Sequence, residues 1–172
     1  MNMMKKKLIK ISSQEMNEVC HLIGSDVILG LDSTNSILTS KNEIKRFTNF
    51  KKIYTLIVKP NFGCSTKDIY SKVRIHKNLK NNDLYKKTSK LKIIENLKYE
   101  ENSLEKIVIS RFPIIQKILF ELMITKNCEF SRLTGSGSAC FGVFLTKKSA
   151  DLGLKKIKKK FPKFWCVVGK TI

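Results

Sequence analysis

A glycine- and serine-rich segment, Gly135-Ser136-Gly137-Ser138, has the composition of an anion-binding loop. Glycines let successive backbone N–H groups converge on one point, and serine hydroxyls add further donors. Phosphate is the anion expected in such a loop. The segment matches neither the G-x-x-x-x-G-K-[ST] phosphate loop nor the G-x-G-x-x-G dinucleotide fingerprint, and glycines so spaced also serve tight turns. Composition alone therefore leaves a phosphate site and a plain turn as alternatives.

Asp26 is the acidic residue whose position suggests a role in proton transfer. It follows Gly24 and Ser25, where a helix is expected to end, and it precedes an apolar run that begins at Val27. A carboxylate in such a loop could accept the proton of a substrate hydroxyl, as phosphoryl transfer to an alcohol requires. Aspartate is also common in ordinary turns. From its neighbours alone, a turn-capping role is the favoured interpretation.

The cysteines and histidines form no recognisable site. The five cysteines are scattered, and none belongs to a C-x-x-C pair or to a group of cysteines and histidines with the spacing of a zinc site. We expect reduced, mostly buried thiols and no metal site built from side chains. A catalytic cysteine with His21 or His76 as its base is an alternative, but no local pattern singles one out.

The net charge of +20 ordinarily indicates a nucleic-acid partner. Here 30 of the 34 basic residues are lysine, whereas recognition of phosphates and base edges usually relies on arginine. Lysine, isoleucine and asparagine share A/T-rich codons, so nucleotide bias also explains the composition. We expect an anionic small-molecule substrate rather than nucleic acid. The alternative is a basic module that binds RNA or another polyanion through residues 155–163 and 77–98.

Length and hydropathy indicate a globular protein. A chain of 172 residues with 42% hydrophobic residues can bury one sizeable core or two small ones. No run of 18 or more apolar residues occurs, and residues 1–10 lack an apolar signal core. We therefore expect a cytoplasmic protein with no membrane partner.

Local patterns predict the elements that position these residues. Ser12 and Glu15 have the spacing of a capping box, so a helix should begin there and end at Gly24. The other predicted elements are short strands over 27–31 and 36–38, a buried strand over 53–58, a loop over 61–65, a short helix over 66–73 capped by Ser65 or Thr66, little regular structure over 76–99, helices opened by Asn102 with Glu105 and by Pro113, a strand over 140–145, a helix over 150–161 and a strand over 164–168. Clustered helices with mostly antiparallel strands predict an α+β layered fold.

Four motifs occur in the order, and with nearly the spacing, of one kinase family. They are Gly24-Ser25-Asp26-Val27, similar to G-[AS]-D-V-P; Val58-Lys59-Pro60 with Ser65-Thr66-Lys67-Asp68-Ile69-Tyr70, similar to P…sT…vY; Asn102-Ser103-Leu104-Glu105, similar to N-D-L-E; and residues 134–142, similar to s-G-S-G-s-a-x-F-g. The similarity around them covers about residues 8–172. The chain thus resembles the 4-diphosphocytidyl-2-C-methyl-D-erythritol kinases of the GHMP superfamily.

The resemblance implies a fold and an activity. It implies a ferredoxin-like C-terminal domain over 51–172, with an antiparallel sheet and helices on one face, and a remnant of the N-terminal domain over 1–50. The implied reaction transfers the γ-phosphate of ATP, with Mg²⁺, to the 2-hydroxyl of 4-diphosphocytidyl-2-C-methyl-D-erythritol in the non-mevalonate isoprenoid pathway. Asp26 would accept the proton, Ser65 and Thr66 would lie close to the substrate, and Gly135, Ser136, Gly137 and Ser138 would lie near the phosphates.

The sequence departs from this family in two respects. The family's catalytic lysine strand and its P-x-x-x-G-L-G-G-G-S-S-N-A-A loop are not found, so we expect that this chain alone does not phosphorylate the substrate. A separately encoded N-terminal piece is the partner that a split kinase would need. In addition, Ile28 stands where the family has proline, and residues 40–43 replace its G-x-G-E turn.

Overall fold

The computed structural model describes residues 11–24, 27–32, 34–38, 44–47, 52–73 and 90–171. The chain divides into two compact units, Met1–Phe50 with Ile172 and Lys51–Thr171. Among the described residues, no helix is long and apolar enough to cross a membrane.

The first unit opens with helix α1, Ser13–Ile23. The predicted capping box is confirmed: the backbone N–H of Glu15 donates to Ser12 Oγ, and the Ser12 N–H donates to the Glu15 carboxylate at 2.8 Å. The Ser12 backbone N–H, and to a smaller extent the Ser12 hydroxyl, stabilise the charged carboxylate by hydrogen bonding and so lower the pKa of Glu15. Gly24 ends the helix, as predicted, and its N–H bonds the Cys20 carbonyl.

The predicted strand over 27–31 is wrong, because Val27–Leu31 is a 3-10 helix. The Val27 N–H bonds the Gly24 carbonyl at 3.1 Å, and Val27–Leu31 then winds tightly instead of extending. A hairpin of β1, Asn35–Leu38, and β2, Ile44–Phe47, follows, with Asn35 opposite Phe47. The strand predicted over 36–38 is thereby confirmed. The replaced turn at 40–43 lies outside the described residues.

The second unit contains a four-stranded antiparallel sheet. Its strands are β3 (Tyr54–Lys59), β4 (Cys128–Leu133), β5 (Cys140–Phe144) and β6 (Trp165–Lys170), in the spatial order β4-β5-β3-β6. The helices are α2 (Thr66–Tyr70), α3 (Lys90–Tyr99), α4 (Glu105–Arg111), α5 (Ile114–Met123) and α6 (Lys147–Lys160). This β-α-β-β-α-β connectivity is ferredoxin-like, which confirms the predicted α+β class.

The main core lies between this sheet and helices α5 and α6. Strand side chains alternate between faces, so Leu56 and Val58 of β3 and Phe144 of β5 point towards these helices and are fully buried. They pack in one cluster with Ile118 and Ile157 of the helices. Burying each such side chain contributes about 1.5–3 kcal/mol. The sheet is therefore a rigid base for the loops at its ends.

Two elements of this unit were not predicted. β4 is interrupted by an irregularity between Cys128 and Phe130, and this breaks the alternation that would reveal a strand. Helix α3 lies in the segment expected to have little regular structure, and Ile93 and Ile94 anchor it by burial. Arg132 of β4 also donates to the Leu97 and Lys98 carbonyls near the end of α3. Residues 74–89 lie outside the described part of the chain.

Candidate functional site

The glycine-rich segment forms the tight connection between β4 and β5. The Thr134 N–H bonds the Ala139 carbonyl at 2.9 Å, and the Gly137 N–H bonds the Thr134 carbonyl at 2.8 Å. Gly135 and Gly137 have φ values of 44° and 85°, in the region that favours glycine. A Cβ at Gly137 would also lie 3.2 Å from Cys64 Sγ and 3.3 Å from Leu133 Cδ1. Backbone conformation and packing therefore both require glycine at position 137.

The two serines of this loop point to different partners. Ser138 is buried, and its hydroxyl donates to the Phe62 carbonyl, so it fastens the loop to the segment after β3. Ser136 is only partly buried, and its Oγ lies 2.9 Å from Thr66 Oγ1. Within the described part of the chain, the backbone N–H groups of Gly135 and Ser136 make no hydrogen bond. Free N–H groups beside a hydroxyl are the donors that an anion requires.

Helix α2 brings Thr66 to the loop. The backbone N–H of Asp68 donates to Ser65 Oγ at 3.3 Å, which makes Ser65 the N-cap and decides between the two caps that the sequence allowed. The Ser65 hydroxyl is thus occupied in capping, whereas the Thr66 hydroxyl faces Ser136. Of the residues predicted near the substrate, Thr66 therefore has the side chain that meets the glycine-rich loop.

Asn102 and Glu105 form hydrogen bonds to the backbone at the start of the loop, a role that was not predicted from the sequence. The Asn102 amide nitrogen donates to the carbonyls of Leu133 at 3.0 Å and Gly135 at 2.8 Å, and its oxygen accepts from the Leu104 N–H at 2.9 Å. The Glu105 carboxylate accepts from the Leu133 N–H at 2.8 Å. The capping box predicted at Asn102 forms only in part: Asn102 accepts from the Leu104 N–H as a cap would, but the Glu105 carboxylate bonds Leu133 instead of the Asn102 backbone, and α4 has Leu104 as its N-cap, without a side-chain bond.

A cation and two aromatic rings adjoin the same site. Arg111, the last residue of α4, has its NH1 atom 3.7 Å from Asp68 Oδ2 of α2. Its guanidinium lies 5.7 Å from the centroid of the Phe112 ring, and that ring stacks on Phe62 at 4.9 Å. Of these residues, Asp68 belongs to one of the four motifs, whereas Arg111, Phe112 and Phe62 were not predicted to contribute to the site; the available signal was an arginine directly before an aromatic residue and Pro113.

The thiols are not poised for nucleophilic chemistry. All five cysteines are free, and Cys20, Cys140 and Cys166 are buried, which confirms the predicted reduced thiols. Burial raises the pKa of Cys140 to about 12 and that of Cys128 to about 11. Because the thiolate is the nucleophile, such thiols are unreactive near neutral pH. His21 is exposed at the end of α1.

Two further predictions concern Asp26 and metals. Asp26 lies outside the described residues, so its catalytic role stays a prediction. No group of three or more His, Cys, Asp or Glu side chains in the described ranges is placed to hold a metal ion.

Comparison with known proteins defines the class to which this fold and loop belong. The family model described as "GHMP kinases C terminal" matches residues 76–163, about half of the chain. The chain therefore belongs to the GHMP kinases.

Two curated relatives of the chain carry the name of one enzyme within this class. The 4-diphosphocytidyl-2-C-methyl-D-erythritol kinase of Pelagibacter ubique (strain HTCC1062) is 40% identical over 167 residues, covering 97% of this chain and 58% of the relative. The enzyme of the same name from Wolbachia sp. subsp. Brugia malayi (strain TRS) is 29% identical over 163 residues, covering 92% of this chain and 56% of the relative. The chain thus spans a little over half the length of these curated relatives.

Solved structures show the same fold. A crystal structure of 4-(cytidine 5'-diphospho)-2C-methyl-D-erythritol kinase matches with a TM-score of 0.63 and 17% identity, over 89% of this chain and 56% of that one. Homoserine kinase from Cytophaga hutchinsonii matches with a TM-score of 0.62 and 12% identity, over 95% of this chain and 58% of that one. At these identities the likeness concerns the fold alone.

Proposed function

We propose that this chain carries the C-terminal part of a kinase that transfers the γ-phosphate of ATP to the 2-hydroxyl of 4-diphosphocytidyl-2-C-methyl-D-erythritol. The observation that carries the proposal is the 2.9 Å contact between the hydroxyls of Thr66 and Ser136. It joins two of the four motifs across 70 residues, and Asn102 of a third motif bonds the same loop. Relatives at 40% and 29% identity that bear this enzyme name support the substrate.

The geometry suits a phosphate group. The free N–H groups of Gly135 and Ser136, together with the Ser136 hydroxyl, would donate to phosphate oxygens, and Thr66 would orient the acceptor substrate beside them. Phosphoryl transfer depends mainly on positioning and charge stabilisation, so a rigid set of donors is what the reaction needs. Mg²⁺, when bound, neutralises phosphate charge, and phosphate oxygens and water would be its principal ligands.

Asp26 would accept the proton of the attacking hydroxyl in this proposal. We assign residues 1–50, which include Asp26, to part of the N-terminal domain of the family, and residues 51–172 to its C-terminal domain. A separate N-terminal kinase piece as partner, and a cytoplasmic location, remain predictions from the sequence.

A chimeric enzyme tests the substrate. Residues 51–172 would replace the matching segment of the Pelagibacter ubique kinase, so that the candidate loop works within a complete relative. We expect ATP-dependent phosphorylation of 4-diphosphocytidyl-2-C-methyl-D-erythritol, detected by mass spectrometry, and none of homoserine, the substrate named for the second structural relative. A folded chimera that leaves the first compound unmodified, while the parent enzyme phosphorylates it, would contradict the proposal.

A second candidate function is favoured by the lysines of α6. Lys147 pairs with Asp151 at 2.6 Å, and Lys160 pairs with Glu121 at 3.1 Å. Lys148, Lys155 and Lys159 are exposed and have no partner among the described residues. Their helical spacing places these three on one stripe, as a surface for binding polyanion phosphates requires. Residues 77–89 of the predicted basic surface lie outside the described residues.

Salt dependence separates the two functions. If α6 binds a nucleic-acid backbone, the affinity for a labelled RNA duplex falls steeply with salt, and K148Q/K155Q/K159Q reduces the slope of log K against log[salt] by about 2–3. K106Q/K117Q/K126Q removes equal charge from exposed lysines elsewhere and serves as the control. Equal effects of the two triple substitutions, or no binding, exclude the basic module.

A further inference from the structure

Arg111 lies at the same site as the Thr66–Ser136 contact but belongs to neither motif. Its guanidinium approaches Asp68, two residues after Thr66 in α2, with NH1 to Oδ2 at 3.7 Å. The Phe112 ring beside it stacks on Phe62, whose carbonyl accepts from the loop hydroxyl of Ser138. A stacked aromatic pair thus connects the position of Arg111 to the glycine-rich loop.

The charge of Arg111 reaches this loop. Burial raises the pKa of Cys64, and the positive charge of Arg111 acts in the opposite sense. Cys64 Sγ lies 3.2 Å from where a Cβ on Gly137 would be. The thiol whose pKa Arg111 affects therefore packs against the loop itself. An anion held by the N–H groups of Gly135 and Ser136 would therefore lie in the field of Arg111.

The N–H donors of the Arg111 guanidinium are available to a ligand. A strong charge-assisted bond between arginine and a carboxylate measures about 2.7–2.9 Å, well below the 3.7 Å separation from Asp68. The two side chains are 44% and 51% exposed, so solvent screens this pair and it contributes little. By contrast, Arg132 donates to two carbonyls of α3, and Arg46 donates to Thr34 and Ser36. Among the described arginines, Arg111 is the one without a hydrogen bond.

We propose that Arg111 binds a diphosphate group at this site together with the Ser136 hydroxyl and the loop N–H groups, and that Asp68 is its counter-ion until the ligand displaces it. Arginine offers a planar fork of donors that fits two phosphate oxygens at once. The inference rests on the proposed function for its ligand class. The diphosphate belongs either to the nucleotide phosphate donor or to the cytidyl-diphosphate ester that accepts the phosphate.

Calorimetric titration of the chain with pyrophosphate at low salt tests the inference. We expect R111Q to weaken pyrophosphate binding by about tenfold or more, and R111K to retain part of the affinity because it keeps the charge but loses the fork. D68N removes the competing carboxylate and should tighten binding by about two- to fivefold. K106Q removes one exposed positive charge from the same helix as a matched control and should change the affinity by less than about twofold.

The opposite directions of R111Q and D68N make the test independent of folding damage, because a misfolded site would weaken binding in both variants. Titrations with CDP and with ADP then assign the diphosphate: a larger effect of R111Q on CDP indicates the acceptor ester, and a larger effect on ADP indicates the phosphate donor. Equal losses in R111Q and K106Q, weaker binding by D68N, or no binding of these three probes by the unmodified chain would overturn the inference.

The two proposals can fail separately. An inactive chimera combined with Arg111-dependent pyrophosphate binding would reject the proposed substrate and leave the anion site intact. An active chimera whose KM values are unchanged by R111Q would reject the role of Arg111 alone.

Discussion

The hydroxyl oxygens of Thr66 and Ser136 lie 2.9 Å apart, one at the start of a five-residue helix and the other in the turn between β4 and β5. The two residues are 70 positions apart in the chain, so their proximity does not follow from local sequence. The contact exists because β3 and β5 are antiparallel neighbours, so the end of β3 and the start of β5 meet at one edge of the sheet. The sheet register thus brings together the N-terminus of α2 and the glycine-rich loop.

The two loop serines should respond differently to alanine. Ser138→Ala leaves the Phe62 carbonyl without its donor in a buried place, and we expect a loss of about 1–2 kcal/mol in unfolding free energy. Ser136→Ala removes a partly exposed hydroxyl and should cost about 0.5 kcal/mol or less. Urea unfolding measures both. Equal destabilisation by the two substitutions would contradict the structural role assigned to Ser138.

Gly137 should not tolerate a side chain. Gly137→Ala places a Cβ at φ 85° and within 3.4 Å of three side-chain atoms, so we expect destabilisation of about 2–4 kcal/mol. Gly63→Ala is the matched control, because a Cβ there meets nothing within 4 Å. Chemical denaturation of both variants checks the prediction, and a Gly137→Ala protein as stable as the control would show that the loop conformation is wrong.

Asn102 should control how rigid the loop is. Asn102→Ala removes three hydrogen bonds, two of them to carbonyls at the start of the loop, and we expect a loss of about 1–3 kcal/mol. Faster amide hydrogen exchange should appear over residues 133–137. Asn102→Asp should not rescue the loop, since a carboxylate oxygen would then face the Leu133 and Gly135 carbonyls. Ser103→Ala, at an exposed neighbour, should leave the exchange rates unchanged. Equally fast exchange in Ser103→Ala and Asn102→Ala would contradict the role assigned to Asn102.

Cys140 should make stability depend on alkaline pH. Its folded pKa of about 12 exceeds the ordinary thiol pKa of 9.0, because burial penalises the thiolate. The stabilisation is fully present below pH 9.0 and is lost as the pH rises towards about 12, since the unfolded thiol ionises first. Cys140→Ala should therefore lose less stability than the unmodified chain between pH 8 and pH 10. Parallel pH profiles of urea unfolding in the two proteins would contradict this.

Much of the fold could be predicted because local signals agree with the tertiary structure. The capping box at Ser12, the stop at Pro60 and the proline at the start of α5 each mark a boundary that the structure retains. These signals depend on the hydrogen bonds or backbone angles of a few consecutive residues. β4 was missed for the opposite reason: its irregularity at Cys128 is set by the partner strand, which the local sequence does not show.

The site could be predicted only in part. The resemblance implied that Thr66 lies close to the substrate and Ser136 near the phosphates; the structure shows that their hydroxyls are in contact, and the two binding roles stay predictions. The spacing of Asn102 and Glu105 is that of a capping box, yet Glu105 bonds the loop backbone instead, and Asn102 bonds the loop in addition to the Leu104 N–H. Spacing reveals that two side chains can share one partner, but not whether that partner is their own helix or a distant loop. The role proposed for Arg111 could not be predicted from the sequence, because it depends on where Asp68 and Phe112 lie in space.

The most direct test of the central claim is a double-mutant cycle on Thr66 and Ser136 in the chimeric kinase. If the two hydroxyls act as one unit on the substrate phosphates, Thr66→Val, Ser136→Ala and the double variant should each lower kcat/KM, with a coupling energy of about 0.5–1.5 kcal/mol. Phosphorylation of 4-diphosphocytidyl-2-C-methyl-D-erythritol is the readout. Strictly additive losses, or no loss in either single variant, would contradict a shared phosphate site.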